Sequence, residues 1–64
     1  MVKHGGIVSS PNGKMWCVVV INNEGIVLRR CDHDGVLIGI HRGRERREVS
    51  WSEWQENGWE LRFL

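Results

Sequence analysis

The sequence has no tyrosine, one phenylalanine, one proline and two cysteines among its 64 residues. Two cysteines are too few for the disulfide framework of a small secreted domain. The near absence of tyrosine and phenylalanine is unlike the sheets that bind RNA through aromatic platforms. The longest apolar run, residues 15–21, is far shorter than the roughly 20 residues that cross a bilayer. No charged region followed by an apolar stretch begins the chain, so we expect a cytoplasmic protein with no membrane partner.

Signatures of chemistry are also absent. There is no repeat, linker or low-complexity segment, so residues 1–64 are expected to form one domain that buries only about 60% of its unfolded surface. No serine or cysteine stands in the context of an activated nucleophile, and so small a chain is not expected to enclose a substrate pocket. We therefore expect no enzymatic activity, no small-molecule substrate and no cofactor.

The two cysteines are expected to lie near His33 in the fold. Cys17, Cys31 and His33 could bind zinc only with a fourth ligand such as His4 or Asp34, and no Cys-x-x-Cys pair is present. A disulfide between the two cysteines is an alternative. Small buried apolar thiols are the simpler interpretation, and the turn chemistry of aspartate accounts for the acidic residues beside His33.

Short loops that end in glycine are the strongest pattern in the chain. They occupy residues 11–13, 23–25 and 33–35 and separate runs of β-branched residues. A three-residue hairpin loop needs glycine at its last position, where the backbone enters the left-handed region. This pattern predicts strands at residues 4–9, 15–22, 26–31 and 36–41.

A helical signal follows near the C-terminal end. Ser50 and Glu53 fit a capping box, and Asn57-Gly58 is a plausible stop, so a short helical turn is predicted near residues 50–57. Residues 59–64 then alternate apolar and polar side chains, which predicts a fifth strand that returns beside the first. The sequence thus predicts a small all-β fold, either an SH3-like barrel or a strongly bent antiparallel meander of about five strands.

Three-residue loops would also fix the pairing between strands. The predicted pairs are Val8 with Trp16, Val18 with Arg30, Val20 with Leu28, Arg30 with Ile38, and Leu28 with Ile40, while Cys17 would lie opposite Cys31. These pairs form one apolar face with Arg30 near its edge. The second face is also largely apolar, so it should be covered by the tryptophan-bearing helical segment, by a second subunit or by a partner. Its candidate interface residues are Ile7, Met15, Val19, Val27 and Leu37.

Four tryptophans are an unusually high number for a chain of 64 residues. Trp51 and Trp54 are three residues apart and share a helical face, which suits packing on a sheet. We expect most of the indoles to be core. Trp59 or Trp51 could remain partly exposed beside arginines and stack on a base.

Arginine is concentrated immediately before the helical segment. Residues 41–47 carry four arginines against one glutamate, and residues 48–64 are mainly acidic. Arginine pairs readily with phosphate, so this segment predicts nucleic-acid contacts. The predicted contact residues are Arg42, Arg44, Arg46 and Arg47, extended by Arg29 and Arg30. In the alternative interpretation the arginines form solvated ion pairs with Glu45, Glu48 and the acidic helical segment.

Two functions remain open from the sequence. In the first, the protein is a small binding module that contacts nucleic-acid phosphates through residues 41–47. In the second, the second apolar face is a homo-oligomer or partner-protein interface, as in a small regulator, inhibitor or adaptor.

Overall fold

A computed structural model describes residues 2–32, 34, 36 and 45–63. These residues form one antiparallel sheet of five strands in the order β4-β3-β2-β1-β5, with one short helix. The elements are β1 (Ile7–Ser9), β2 (Met15–Ile21), β3 (Gly25–Arg30), β4 (Arg46–Ser50), α1 (Trp51–Glu56) and β5 (Glu60–Phe63). The predicted small antiparallel fold with a short helix is confirmed. The sheet is not closed into a barrel, so SH3-like closure stays a prediction.

The first hairpin has the predicted geometry. Val8 lies opposite Trp16 in the pairing of β1 with β2. The connection closes where the backbone N–H of Ser10 donates to the carbonyl of Lys14 at 2.8 Å. Gly13, the last residue of the loop, has a φ of 87°. Only glycine enters this left-handed region without a steric cost, which explains its place in the loop.

The second hairpin turns differently from the prediction. The side-chain carbonyl of Asn22 accepts from the backbone N–H groups of Glu24 and Gly25, at 2.9 and 3.0 Å. These two hydrogen bonds close the turn one residue earlier than expected, so that Ile21 pairs with Ile26. Gly25 is already the first residue of β3 and is not left-handed.

The register of β2 with β3 differs accordingly. Val18 pairs with Leu28 rather than with Arg30, and Val20 pairs with Val27 rather than with Leu28, so both predicted pairs are wrong. A bulge between Val18 and Val20 adds one residue to β2 and shifts the register a second time. Two shifts of one residue restore the original alternation of faces. The predicted core face therefore survives at Val8, Trp16, Val18 and Leu28. Beyond the bulge, Val20, which was predicted on that face, lies opposite Val27 and is 44% exposed.

The strand β4 was not expected. It lies beside β3 on the side away from β2, where Leu28 pairs with Arg47. On that side of β3, Leu28 pairs with Arg47, and the N–H of Arg30 donates to the carbonyl of Glu45. Ile40 and Ile38, the partners predicted for these two residues, lie outside the described residues. Four of the five residues of β4 are polar or charged, so alternation gave no signal there. The predicted strand at 36–41 lies, apart from Val36, outside the described residues.

Position 25 requires glycine because β3 and β4 approach each other closely there. It pairs with Ser50, and a Cβ built at position 25 would lie 2.0 Å from the carbonyl oxygen of Val49. Any side chain would force the two strands apart. The glycine expected for a left-handed turn thus serves strand packing instead.

The helix α1 begins and ends where the sequence predicts. The hydroxyl of Ser50, the N-cap, accepts from the backbone N–H of Glu53 at 3.1 Å. The helix ends at Asn57, whose N–H donates to the carbonyl of Glu53, and Gly58 follows with a φ of 85°. The capping residue and the glycine stop are confirmed.

The chain crosses the sheet between β4 and β5. These strands lie at opposite edges, so residues 51–59 pass over one face, a distance of about 19 Å for four steps of strand spacing. This crossing segment buries the hydrophobic core beneath it, and β5 then pairs with β1 as predicted. The buried core comprises Val8, Trp16, Val18, Ile26, Leu28, Val49 and Trp59, with Val2, Trp51, Trp54 and Leu61 packed against it.

Candidate functional site

Four arginines meet at one end of the β3–β4 pair. Arg29 and Arg30 end β3, Arg46 and Arg47 begin β4, and the antiparallel register places Arg29 directly opposite Arg46. We call these four residues the basic corner. The structure thus brings together the arginines that the sequence placed in two separate segments. Arg42 and Arg44, also predicted as contacts, lie outside the described residues.

The basic corner is divided between the two faces of the sheet. Successive residues of a strand point to opposite faces. Arg30 and Arg47 share the core face with Leu28, whereas Arg29 and Arg46 lie on the second face. Because β4 is an edge strand, the corner carries positive charge around the edge of the sheet rather than on one flat patch.

Glutamates form ion pairs with arginines of the basic corner. The ion pairs are Arg30–Glu45 at 3.5 Å, Arg46–Glu48 at 3.6 Å and Arg47–Glu53 at 2.9 Å. These are the partners that the ion-pair interpretation anticipated. The glutamate side chains are largely solvated except that of Glu53, and such exposed pairs contribute about 0–1 kcal/mol each. A polyanion would therefore displace these carboxylates at low cost.

Tryptophans lie beneath the arginines of the core face. The guanidinium carbon of Arg30 is 5.5 Å from the ring centroid of Trp16, and that of Arg47 is 5.2 Å from the centroid of Trp59. The Trp16 and Trp59 centroids are 6.5 Å apart, and Trp54 stacks on Trp59 at 6.2 Å. We call the three rings the indole layer. Both distances suit cation–π attraction, which holds the two guanidinium groups over the rings.

Three buried N–H donors in this layer have no hydrogen-bond partner among the described residues. They are Nε1 of Trp16, Nε1 of Trp59 and Nε of Arg30. A buried donor without an acceptor costs about 1–3 kcal/mol. Three of them cost an amount comparable to the entire stability expected of a 64-residue domain, about 3–10 kcal/mol. An acceptor that reached any of these donors would supply the hydrogen bond that the donor lacks.

The second face is only partly open. Ile7 is buried, whereas Met15, Val19 and Val27 are half-buried, and Leu37 lies outside the described residues. The crossing segment lies on the other face and does not cover these residues. Val20 and Ile21, at the end of β2, are exposed to 44% and 39%.

The two cysteines are not paired across the strands. Cys17 lies opposite Arg29, and the N–H of Cys31 donates to the carbonyl of Met15, so the predicted opposition of the thiols is wrong because of the shifted register. Both thiols are free. Burial raises the pKa of Cys31 above its usual value, Cys17 and Asp32 raise it further, and Arg30 lowers it.

Asp32, which follows Cys31, has a structural role in the turn after it. The carboxylate of Asp32 accepts from the backbone N–H groups of Asp34 and Val36, which is the turn role that the sequence indicated. Among the described residues, no group of three or more histidine, cysteine or acidic side chains could hold a metal ion. His33 lies outside this part of the chain.

A hollow of about 310 Å³ lies beside the second hairpin turn, between β3, β4 and the start of α1. Glu24, Glu48 and Glu53 line it together with backbone and small polar groups. Its acidic lining is the opposite of the basic corner in charge, so an anionic ligand would avoid it.

Sequence reasoning missed the indole layer as an arginine-bearing site. It expected Trp59 or Trp51 to remain partly exposed beside arginines; Trp51 is half-buried, whereas Trp59, the indole that lies beneath Arg47, is buried. It also placed Arg30 opposite Val18, whereas the true register sets Arg30 opposite Trp16. The signal was present in the arginine and tryptophan content, but only the register shows which residues meet.

No helix in the described part of the chain is long and apolar enough to cross a membrane. Comparison of the chain with models of protein families, with curated proteins and with solved structures found no match.

Proposed function

We propose that the protein is a non-enzymatic binding module that contacts nucleic-acid phosphates through the basic corner. The observation that carries the proposal is the β3–β4 register, which sets Arg29 opposite Arg46 and places Arg30 and Arg47 next to them. Arginine forks bind phosphate oxygens with two parallel hydrogen bonds, and phosphate contacts dominate the affinity of nucleic-acid-binding proteins.

Electrostatics supports this choice of ligand. Like charges directly opposite each other in neighbouring strands destabilise a sheet, and a polyanion would relieve that repulsion. The corner lies at an edge strand, so a phosphodiester chain can reach both of its sides. Arg42 and Arg44 lie outside the described residues and remain predicted contacts. SH3-like closure is not needed, because β3 and β4 alone form the corner.

The test is a titration with labelled single-stranded and double-stranded oligonucleotides at about 50 and 200 mM salt, followed by fluorescence anisotropy. Four phosphate contacts predict a logarithmic salt slope of about −3.6 on duplex DNA. An absence of binding at the lower salt concentration would refute the proposal.

A matched pair of variants locates the contact. Arg46→Gln removes one charge of the corner, and Arg62→Gln removes one from β5 at the opposite edge. Both arginines pair with a glutamate two residues away, at 3.6 Å for Arg46 and 3.5 Å for Arg62. We expect Arg46→Gln to weaken binding and reduce the salt slope by about one, and Arg62→Gln to change neither. Equal losses in both variants would mean that net charge, not the corner, attracts the nucleic acid.

The alternative function is a homo-oligomer or partner-protein interface on the second apolar face. The exposure of Val20 and Ile21 beside the half-buried Val19 and Val27 favours it. Val27→Lys would then abolish self-association in sedimentation measurements while leaving oligonucleotide binding intact. A monomeric wild-type protein at high concentration would argue against self-association.

A further inference from the structure

The geometry points to a phosphate seat within the indole layer: the N–H groups of Trp16 and Trp59 and the Nε of Arg30 together hold one phosphate group. This inference rests on the proposed function and makes it more specific. It assigns the recognised phosphate to the core face of the basic corner, rather than to the face that carries Arg29 and Arg46.

The three donors cannot satisfy one another. Tryptophan and arginine side chains donate hydrogen bonds but do not accept them. More than nine tenths of Trp16 and of Trp59 is buried, and neither indole N–H has a partner among the described residues. Trp51 differs, because its Nε1 donates to the carbonyl of Asn22 at 2.9 Å. The two buried indole N–H groups without a partner among the described residues are therefore the two that lie under arginines.

The donor set selects for an anion. Two guanidinium groups add positive charge beside the three N–H groups, which excludes a cationic ligand. A terminal phosphate group offers three acceptor oxygens, one for each buried donor, whereas an internal phosphodiester offers two non-bridging oxygens and a carboxylate also offers two. Hydrogen bonds to a charged acceptor are also the stronger ones, so phosphate suits the seat best.

Arg30 and Arg47 lie over the rings that form the seat, so a phosphate must displace them to enter it. Their guanidinium groups lie over the rings, and their terminal nitrogens are bound outward to Glu45 at 3.5 Å and Glu53 at 2.9 Å. The pair with the exposed Glu45 is weak. The pair with Glu53 is closer and its carboxylate is less exposed, so a phosphate displaces it through its own stronger hydrogen bonds to the arginine. A phosphate can draw both arginines from the glutamates, reach the indole N–H groups and be enclosed by the same side chains.

The indole N–H groups report directly on this seat by NMR. The four tryptophans of the ¹⁵N-labelled full-length chain give four indole signals, assigned from single Trp→Phe variants. Inorganic phosphate is added, with sodium chloride at equal ionic strength as the control. We expect the Trp16 and Trp59 signals to move downfield with a common saturation curve, while the Trp51 signal stays in place because its N–H is already bonded.

A conservative substitution separates the seat from net charge. Arg30→Lys keeps the charge but removes the Nε donor. Arg62→Lys makes the same change on β5, where the Nε already donates to the hydroxyl of Ser9 at 3.0 Å. We expect Arg30→Lys to weaken phosphate binding about tenfold or more, the effect of one hydrogen bond to a charged group, and Arg62→Lys to leave it unchanged. Oligonucleotides with and without a 5′-phosphate then distinguish a terminal from an internal phosphate.

Each outcome bears on one of the two ideas. If oligonucleotides bind and the Trp16 and Trp59 signals do not move, the seat is refuted and the proposed function stands. If inorganic phosphate moves the indole signals and no oligonucleotide binds, the proposed function is refuted and the seat stands. Downfield indole signals before any phosphate is added would show that the chain supplies its own acceptor, which also overturns the seat.

Discussion

Replacing Gly25 with alanine should destabilise the protein far more than its size change suggests. The new Cβ would lie 2.0 Å from the carbonyl oxygen of Val49 and 2.8 Å from Cα of Ser50, where ordinary contact begins at 3.4 Å. Both atoms belong to the backbone, so no side-chain rotation relieves the clash. The strands must separate by more than 1 Å, which also weakens the bond from the N–H of Trp51 to the carbonyl of Glu24. We expect a loss of about 3 kcal/mol from overpacking and weakened hydrogen bonds.

The matched control is Gly58→Ala, in which the cost comes from the backbone conformation and not from a steric clash. Gly58 has a φ of 85° but nothing within 4 Å of its added Cβ, so its cost is left-handed strain of about 1 kcal/mol. Urea and thermal unfolding followed by tryptophan emission measure both variants. The predicted losses correspond to a Tm decrease of more than about 12 °C for Gly25→Ala and about 4–8 °C for Gly58→Ala. If Gly25→Ala costs no more than Gly58→Ala, the close approach of β3 to β4 is wrong.

Two further predictions concern the helix cap and the buried thiol. Ser50→Ala should lower the free energy of unfolding by about 1 kcal/mol because it removes the N-cap acceptor, whereas Ser52→Ala, at an exposed helical position, should cost nothing; equal urea midpoints would contradict this. The raised pKa of Cys31 means that its neutral thiol contributes stability that is complete below the unfolded value of about 9.0 and is lost as the pH rises through the folded pKa. Urea midpoints should therefore fall as the pH rises above about 9, and alkylation at pH 8 should modify Cys17 before Cys31; equal labelling rates would refute the assignment.

Local signals predicted the local structure well. The first hairpin and the helix depend on residues that act over three or four positions, such as Gly13, Ser50 and Gly58, and all three behave as the sequence indicates. The core face also emerged correctly as far as Val18, whereas Val20, predicted on the same face, lies beyond the bulge and is exposed. Its alternation depends on the parity of the register, which the turn at Asn22 and the bulge in β2 change twice and so restore.

Contacts between distant segments were harder to predict. The strand β4 carries little apolar signal because its outer face and its start are charged, and its partner β3 also pairs with a strand that is close in sequence. The basic corner depends on that unexpected strand, since only the β3–β4 register sets Arg29 opposite Arg46. The indole layer likewise depends on where the crossing segment places Trp59. The spacing of residues along the chain does not indicate which distant residues come into contact.

The passage of residues 51–59 over the sheet also has a consequence for how the protein folds. The first three strands can assemble from neighbouring contacts, but β5 joins β1 by pairing Ile7 with Phe63, at nearly the full length of the chain. That pairing must wait until both the long connection after β3 and the crossing segment are in place, and such distant closures slow folding. One segment holds β4 at one edge and β5 at the other. Its release would free both edges together, so the sheet should open as a single cooperative unit rather than strand by strand.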